Sequence, residues 1–178
     1  MLDLFSGIGG ASQPFVDKGW RVIKVELDER FPADWRDVTN FHPPTSGIDL
    51  VWASPPCTEF SRESMPWCKT GVPPSMDLVN ETLRIVFEAN PRWWIVENVR
   101  GAKDYLTPVL GPRIAICGAV NLWGSAPLDT AWPKIEGHKM KYSGREKHLR
   151  SAIPYPVGEA LEAACSRALA RWNPNRRR

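Results

Sequence analysis

Apolar positions along the chain fall into short blocks, each closed by glycine, proline or an acidic residue. Residues 1–5 (MLDLF), 21–26 (RVIKVE), 48–53 (IDLVWA) and 93–96 (WWIV) are too short for a stable helix and rich in branched or aromatic side chains. Such blocks predict strands. The third stops at Ser54-Pro55-Pro56, since two successive prolines cannot continue a ladder. Between the strands, residues 11–18 and 75–89 predict helices. In the second, Ser75 is available as a cap, and Leu78, Leu83, Val86 and Phe87 form an approximately helical apolar face. Further on, 104–110 predicts a short helix, 113–120 (RIAICGAV) a strand, and 155–172 a long final helix with an Ala/Leu face. The alternation predicts an α/β fold with a mostly parallel central sheet and helices on both faces. No repeat or linker interrupts it, so 1–178 is expected to be one domain, with a polar, basic loop or hairpin at 124–150.

Composition supports a folded chain. Apolar residues at 43% and charged residues at 24%, with 17 Pro and 13 Gly dispersed, exclude a coiled coil or a low-complexity segment. No apolar run reaches the roughly 18–20 residues of a membrane span, and the first residues lack a charged segment ahead of an apolar one. A soluble, intracellular protein is expected. Cys57, Cys68, Cys117 and Cys165 form no CxxC pair, and His42, His138 and His148 are isolated, so neither a metal site nor a disulfide framework is expected. Charge is uneven. Residues 1–133 carry 12 Lys/Arg against 16 Asp/Glu, whereas 134–178 carry 11 against 4. Lys139, Lys141, Arg145 and Lys147 in that basic quarter suit phosphate contacts at one rim, and Arg176, Arg177 and Arg178 read as solvated terminal charge.

Chemistry concentrates where the predicted strands end. DLFSGIGG at 3–10 places a glycine turn directly after the first strand, where backbone can approach a ligand closely. Glu26 at the tip of the second strand can accept hydrogen bonds from ribose hydroxyls. Asp37, at the end of a third, short strand, can accept the amino group of an adenine; each carboxylate read alone is equally a surface group. In SPPCTEFS at 54–61, Cys57 follows a buried strand at its ligand-binding end. A free cysteine is commonly an inert core residue, but Glu97 in WWIVENV stands at the same end of the neighbouring strand. A thiol and a carboxyl converging on one cleft suit a nucleophile with an acid partner. Trp67, beside Cys68, reads equally as a base-stacking or a packed lid residue.

In this order and at these separations, DLFSGIGG, Glu26, Asp37-Val38, SPPCTEFS and ENV resemble the cytosine-5 DNA methyltransferase family over residues 1 to about 100. IPYPVGEAL at 153–161 resembles the family's last motif, whose helix returns to close the cofactor pocket. The resemblance implies a Rossmann-like S-adenosylmethionine-dependent methyltransferase fold. It implies cofactor binding at Phe5, Gly7, Gly9, Glu26, Asp37 and Pro55, Cys57 as the attacking thiolate and Glu97 as the carboxyl group that engages a cytosine flipped from duplex DNA.

The middle of the chain departs from the family. NLWGSAP at 121–127 resembles the segment before the family's Gln-x-Arg-x-Arg motif, but Leu128 and its successors do not supply that motif. Arg113, Arg145 and Arg150 are the candidates to replace its substrate-holding arginine, and Ser61 joins them as a substrate-binding candidate. The stretch between Pro127 and Ile153 leaves no room for a large target-recognition domain, so short or relaxed sequence preference is expected. Three readings stay open: a DNA cytosine-5 methyltransferase; an enzyme of the same chemistry acting on RNA, single-stranded DNA or a nucleotide; and a non-catalytic binding protein or a subunit whose protein partner supplies specificity.

Overall fold

The computed structural model describes residues 1–63, 71–128, 133 and 153–172. Its sheet has six strands: β1 (Leu2–Leu4), β2 (Ile23–Val25), β3 (Leu50–Ala53), β4 (Trp93–Asn98), β5 (Arg113–Cys117) and β6 (Val120–Gly124). Their order is β2-β1-β3-β4-β6-β5; β2, β1, β3 and β4 pair in parallel, and β6 pairs antiparallel with both β4 and β5. Only β6 therefore runs against the other five. The helices are α1 (Gln13–Asp17), α2 (Thr58–Glu63), α3 (Asp77–Ala89), α4 (Lys103–Leu110) and α5 (Tyr155–Arg171).

Alternation along β3 shows why its sequence is apolar throughout. Leu50 and Trp52 face one core with Phe15 of α1 and Leu161 of α5, while Val51 and Ala53 face the opposite core with Ile85 of α3. Trp93 and Trp94 divide in the same way, each half-buried against a different face. The chain passes from β1 to β2 on one side and then crosses to β3 on the other side of β1, and this reversal of direction opens a crevice at the carboxyl ends of the strands.

Several expectations are corrected. The strand expected over 113–120 is a hairpin: Gly118, at φ +62°, and Ala119 reverse the chain, and β6 follows. Wedged between two strands, β6 buries even Asn121, which donates to the Ala119 carbonyl and accepts from Arg113. The short strand expected before Asp37 is a single parallel bridge between Val25 and Trp35, followed by a 3-10 turn, Val38–Asn40. On α3 the buried stripe is Val79, Thr82, Ile85 and Ala89, whereas Phe87 is 86% exposed. Thr82 fits an apolar stripe because its hydroxyl donates to the Leu78 carbonyl within the helix. Met76, not Ser75, is the cap residue, although the Ser75 hydroxyl accepts from the Asp77 amide.

Helix α5 lies against α1 through glycines. A methyl group at Gly158 would stand 2.5 Å from the Ala11 carbonyl oxygen, and one at Gly10 would stand 2.2 Å from that of Ile153. Tyr155 donates to Asp17 at 2.8 Å, and the Trp20 indole donates to Glu162 at 3.2 Å. At the far end Arg92 stacks on Trp172, 4.2 Å from the ring centroid. Gly158→Ala separates propensity from packing. Propensity alone favours alanine by up to about 1 kcal/mol, but the lost approach to Ala11 should make the variant less stable by roughly 1–3 kcal/mol. A urea midpoint at or above that of the parent protein would refute the close-packing account.

Candidate active site

The strand ends converge on one cavity of about 780 Å³. It is lined by Asp3, Phe5 and Gly7 from β1 and its turn, Glu26 after β2, Ser54, Pro55 and Cys57 after β3, and Glu97 on β4. Asp37 and Val38 border it too, and Val120 and Ile153 line it from β6 and the segment before α5. The crevice set by strand order and the motif-bearing turns are thus the same place.

At the β1 turn the chain takes a sparsely populated conformation. Phe5, a non-glycine residue, has φ +60° and donates its amide to the Val25 carbonyl at 2.8 Å; Gly7 and Gly9 follow at φ +51° and +81°. Holding Phe5 there costs of order 1–3 kcal/mol. Glu26 stabilises the turn from the next strand: one oxygen accepts the Gly7 amide at 2.7 Å, the other the Asp28 amide at 2.9 Å. Each carboxylate oxygen keeps capacity for a second donor, which suits a ribose diol. Gly9 is buried and does not line the cavity; a methyl group there would meet the Lys24 ammonium at 2.7 Å.

Asp37 caps the 3-10 turn. Its carboxylate accepts from the Thr39 amide at 2.9 Å, the Thr39 hydroxyl at 2.8 Å and the Asn40 amide group at 3.3 Å. The two Thr39 bonds, the amide foremost, lower its pKa from the ordinary carboxylate value.

Two features around Cys57 were missed in the sequence. Asn98, buried behind Glu97, donates its side-chain amide to the Pro55 carbonyl at 3.0 Å and accepts from the Val99 amide at 2.9 Å. It ties β4 to the loop that carries Cys57. The Ser54 hydroxyl accepts the Trp52 indole N–H at 2.8 Å and hydrogen-bonds to the Glu97 carboxyl. The signal for Asn98 was its place beside Glu97 in ENV; nothing local in the sequence marked Trp52 as a partner of Ser54.

Burial sets the protonation states. It pushes Glu97 up to about 7, against the lowering effect of Ser54. It raises the Cys57 thiol as well, opposed by a hydrogen bond from Ser61 and assisted by the nearby Glu97 charge. Ser61 thus meets the Cys57 thiol and does not itself line the cavity. Asp3, another acid missed in the sequence, is buried among strand residues, bonded to the Ser12 hydroxyl and pushed up to about 6 by burial.

Arg113 does not reach the cavity; its guanidinium is 2.6 Å from the Asn121 side-chain oxygen. Arg145, Arg150, Lys139, Lys141, Lys147, His138, His148, Trp67, Cys68 and the three terminal arginines lie outside the described residues. Among the described residues no group of three His, Cys, Asp or Glu is placed to hold a metal, and no helix is long and apolar enough to cross a membrane.

The mixed sheet with flanking helices and a carboxyl-edge crevice defines a Rossmann-like methyltransferase fold. A profile of the C-5 cytosine-specific DNA methylase family matches residues 1–106, and the chain belongs to that family. It is 32% identical to a probable DNA (cytosine-5)-methyltransferase of frog virus 3 (isolate Goorha), covering 77% of this chain and 71% of that protein. It is 28% identical to the type II methyltransferase M.HgiGI of Herpetosiphon aurantiacus, covering 57% and 91%. The S. pombe Dnmt2 methyltransferase structure aligns with 18% identity and a TM-score of 0.44, covering 89% of this chain and 57% of that one. The chain spans about half the length of the solved structures it matches. The family's cofactor is S-adenosylmethionine, and the residues present fit it, since a strained glycine turn, a carboxylate with spare acceptor capacity and a half-buried aromatic face share one cavity.

Two pH predictions follow from the buried acids. Asp3 and Glu97 ionise at higher pH in the folded chain than in the unfolded one, from 3.8 to about 6 and from 4.5 to about 7. Their contribution is therefore fully present below the unfolded pKa values and lost as pH rises through about 6 and 7. Asp3→Asn and Glu97→Gln should each flatten the fall in unfolding free energy between those limits, measured by urea denaturation across the range; slopes identical to wild type would refute it. Ser54→Ala should move the Glu97 midpoint above about 7, read by ¹³C NMR of labelled glutamate carboxyls. An unchanged midpoint would show that Ser54 does not tune the acid.

Proposed function

We propose that this chain transfers a methyl group from S-adenosylmethionine to C5 of cytosine in DNA through a covalent adduct of Cys57. The observation that carries the proposal is the convergence of Cys57 and Glu97 on the cavity that also holds the glycine turn and Glu26. Phe5, Gly7, Glu26, Asp37 and Pro55 hold the cofactor, Gly9 shapes the turn, and Glu26 receives the ribose hydroxyls. The bound cofactor supplies an electrophilic methyl group on a sulfonium centre.

Cytosine C5 is too weak a nucleophile to take that methyl group unaided. Cys57 corrects this by adding its sulfur to C6, which pushes an electron pair toward C5. Glu97, poised near neutrality, donates its proton to N3 as negative charge develops in the ring. The pair is mutually suited: the Glu97 carboxylate charge raises the Cys57 pKa, so protonated Glu97 eases formation of the thiolate. C5 then takes the methyl group and loses its proton to a base; the electron pair of that C–H bond re-forms the C5–C6 double bond, the Cys57 sulfur leaves C6 as thiolate, and N3 returns its proton to Glu97, restoring the aromatic ring and the acid. A duplex cytosine must leave the stack to reach the thiol, at a cost of a few kcal/mol. The basic residues 139–147 grip the phosphates, and Arg145 or Arg150 holds the base. Short or relaxed specificity follows from the small space between Pro127 and Ile153, unless a partner protein adds to it.

Fluorine at C5 cannot leave as a proton does. A duplex carrying 5-fluorocytosine, incubated with S-adenosylmethionine, should therefore give a protein–DNA adduct that survives denaturation and maps to Cys57. Cys57→Ala should abolish adduct and turnover while retaining cofactor binding. Glu97→Gln should slow methylation by about 10²–10⁴-fold. Equal methylation by wild type and Cys57→Ala would eliminate the covalent mechanism. Turnover on RNA or dCTP with none on DNA would eliminate the DNA substrate.

A further inference from the structure

The nucleoside end of the cavity is built from loops. Asp37 and Val38 border it at the start of the 3-10 turn, and the chain then runs into Pro43-Pro44, which have no N–H to donate. The turn closes on itself weakly, with Asn40 and Phe41 amides reaching the Asp37 and Val38 carbonyls at 3.2 and 3.3 Å. A side chain from α3 supplies further donors.

That side chain is Arg84, which does not line the cavity. Nη2 donates to the Val38 carbonyl at 3.2 Å and to the Phe41 carbonyl at 2.9 Å, gathering both ends of the turn. Nε and Nη1 donate to Glu81 and Glu88 at 2.7 and 2.8 Å, which fixes the plane of the guanidinium on its own helix. His42, just beyond the turn, approaches Glu88 at 3.1 Å and Arg84 at 3.5 Å. The fork is thus anchored on α3 by two carboxylates and presents its remaining edge to the loop. A lysine has one compact charge and cannot hold two carbonyls in a fixed plane.

We propose that Arg84 is a positioning residue for recognition of the purine 6-amino group of the cofactor. It acts through Asp37: the guanidinium holds the turn from behind, so that the capping carboxylate meets the amino group from the front. The inference rests on the reading that Asp37 accepts that group. A displaced turn would carry Asp37 and Val38 away together, and a charge-assisted hydrogen bond weakens steeply with small errors in distance and angle.

The test compares two ligands by calorimetry: S-adenosylhomocysteine, and the analogue in which hydrogen replaces the 6-amino group. Wild type should prefer the first by about 10- to 100-fold. Arg84→Ala should reduce that preference to below about 3-fold, mainly by weakening S-adenosylhomocysteine. Arg84→Lys, which keeps a cation beside Glu81 and Glu88 and so protects the fold, should give an intermediate preference. Adding Asp37→Ala to Arg84→Ala should change the ratio little, and adding it to Arg84→Lys should remove the intermediate preference, because the two residues act in series. If Arg84 variants weaken both ligands equally and keep the wild-type ratio, Arg84 merely supports the fold and the proposal is wrong. If wild type binds both ligands alike, the assignment of Asp37 fails and this inference with it; binding of neither would instead overturn the cofactor reading itself.

Discussion

Where the four parallel strands stop together, their hydrogen-bond ladder stops too, and each backbone group beyond that edge needs another partner. Side chains provide it. Glu26 accepts the Gly7 and Asp28 amides, Asn98 donates to the Pro55 carbonyl, and Arg84 donates to the carbonyls of Val38 and Phe41. Arg36 reaches the carbonyls of Glu26, Asp28 and Phe31 with a single nitrogen, at 3.4, 3.3 and 3.0 Å. The turn after β1 is thereby tied to the end of β2, the loop after β3 to β4, and the 3-10 turn to α3.

The same edge governs the electrostatics. A carboxyl or thiol placed there loses water, and the charged form of each is the one penalised. Asp3 and Glu97 are raised to about 6 and about 7, and the Cys57 thiol is raised as well. Opposing hydrogen bonds from Ser12, Ser54 and Ser61 moderate the shifts. For Glu97 the balance leaves an acid that changes protonation near neutrality, the range in which a general acid is most useful.

Closure of the cavity depends on a distant segment. Ile153 lines it only because the chain passes within van der Waals range of Gly10 and α5 packs on α1 through Gly158. The stacking of Arg92 on Trp172 holds the other end of α5 at the opposite edge of the sheet.

The sequence by itself determined the order of elements, the α/β class and the strand ends that carry Glu26, Cys57 and Glu97. These depend on local signals: apolar runs of strand length, a glycine turn, paired prolines and acids at strand tips. It also determined the family, because its motifs occupy residues that the fold brings to one edge. Tertiary structure alone decided what depends on neighbours distant in the chain. The 113–120 run became a hairpin because β6 inserts beside β4, and the buried stripe of α3 included Thr82 because the helix backbone satisfies its hydroxyl. Arg113 was drawn to Asn121 and away from the cavity. The burial of Asp3, the bonds of Ser54 to Trp52 and Glu97, the tie from Asn98 to Pro55 and the reach of Arg84 to the turn after Asp37 emerged only in three dimensions. Their roles are set by burial and by partners, properties that no single position in a sequence carries.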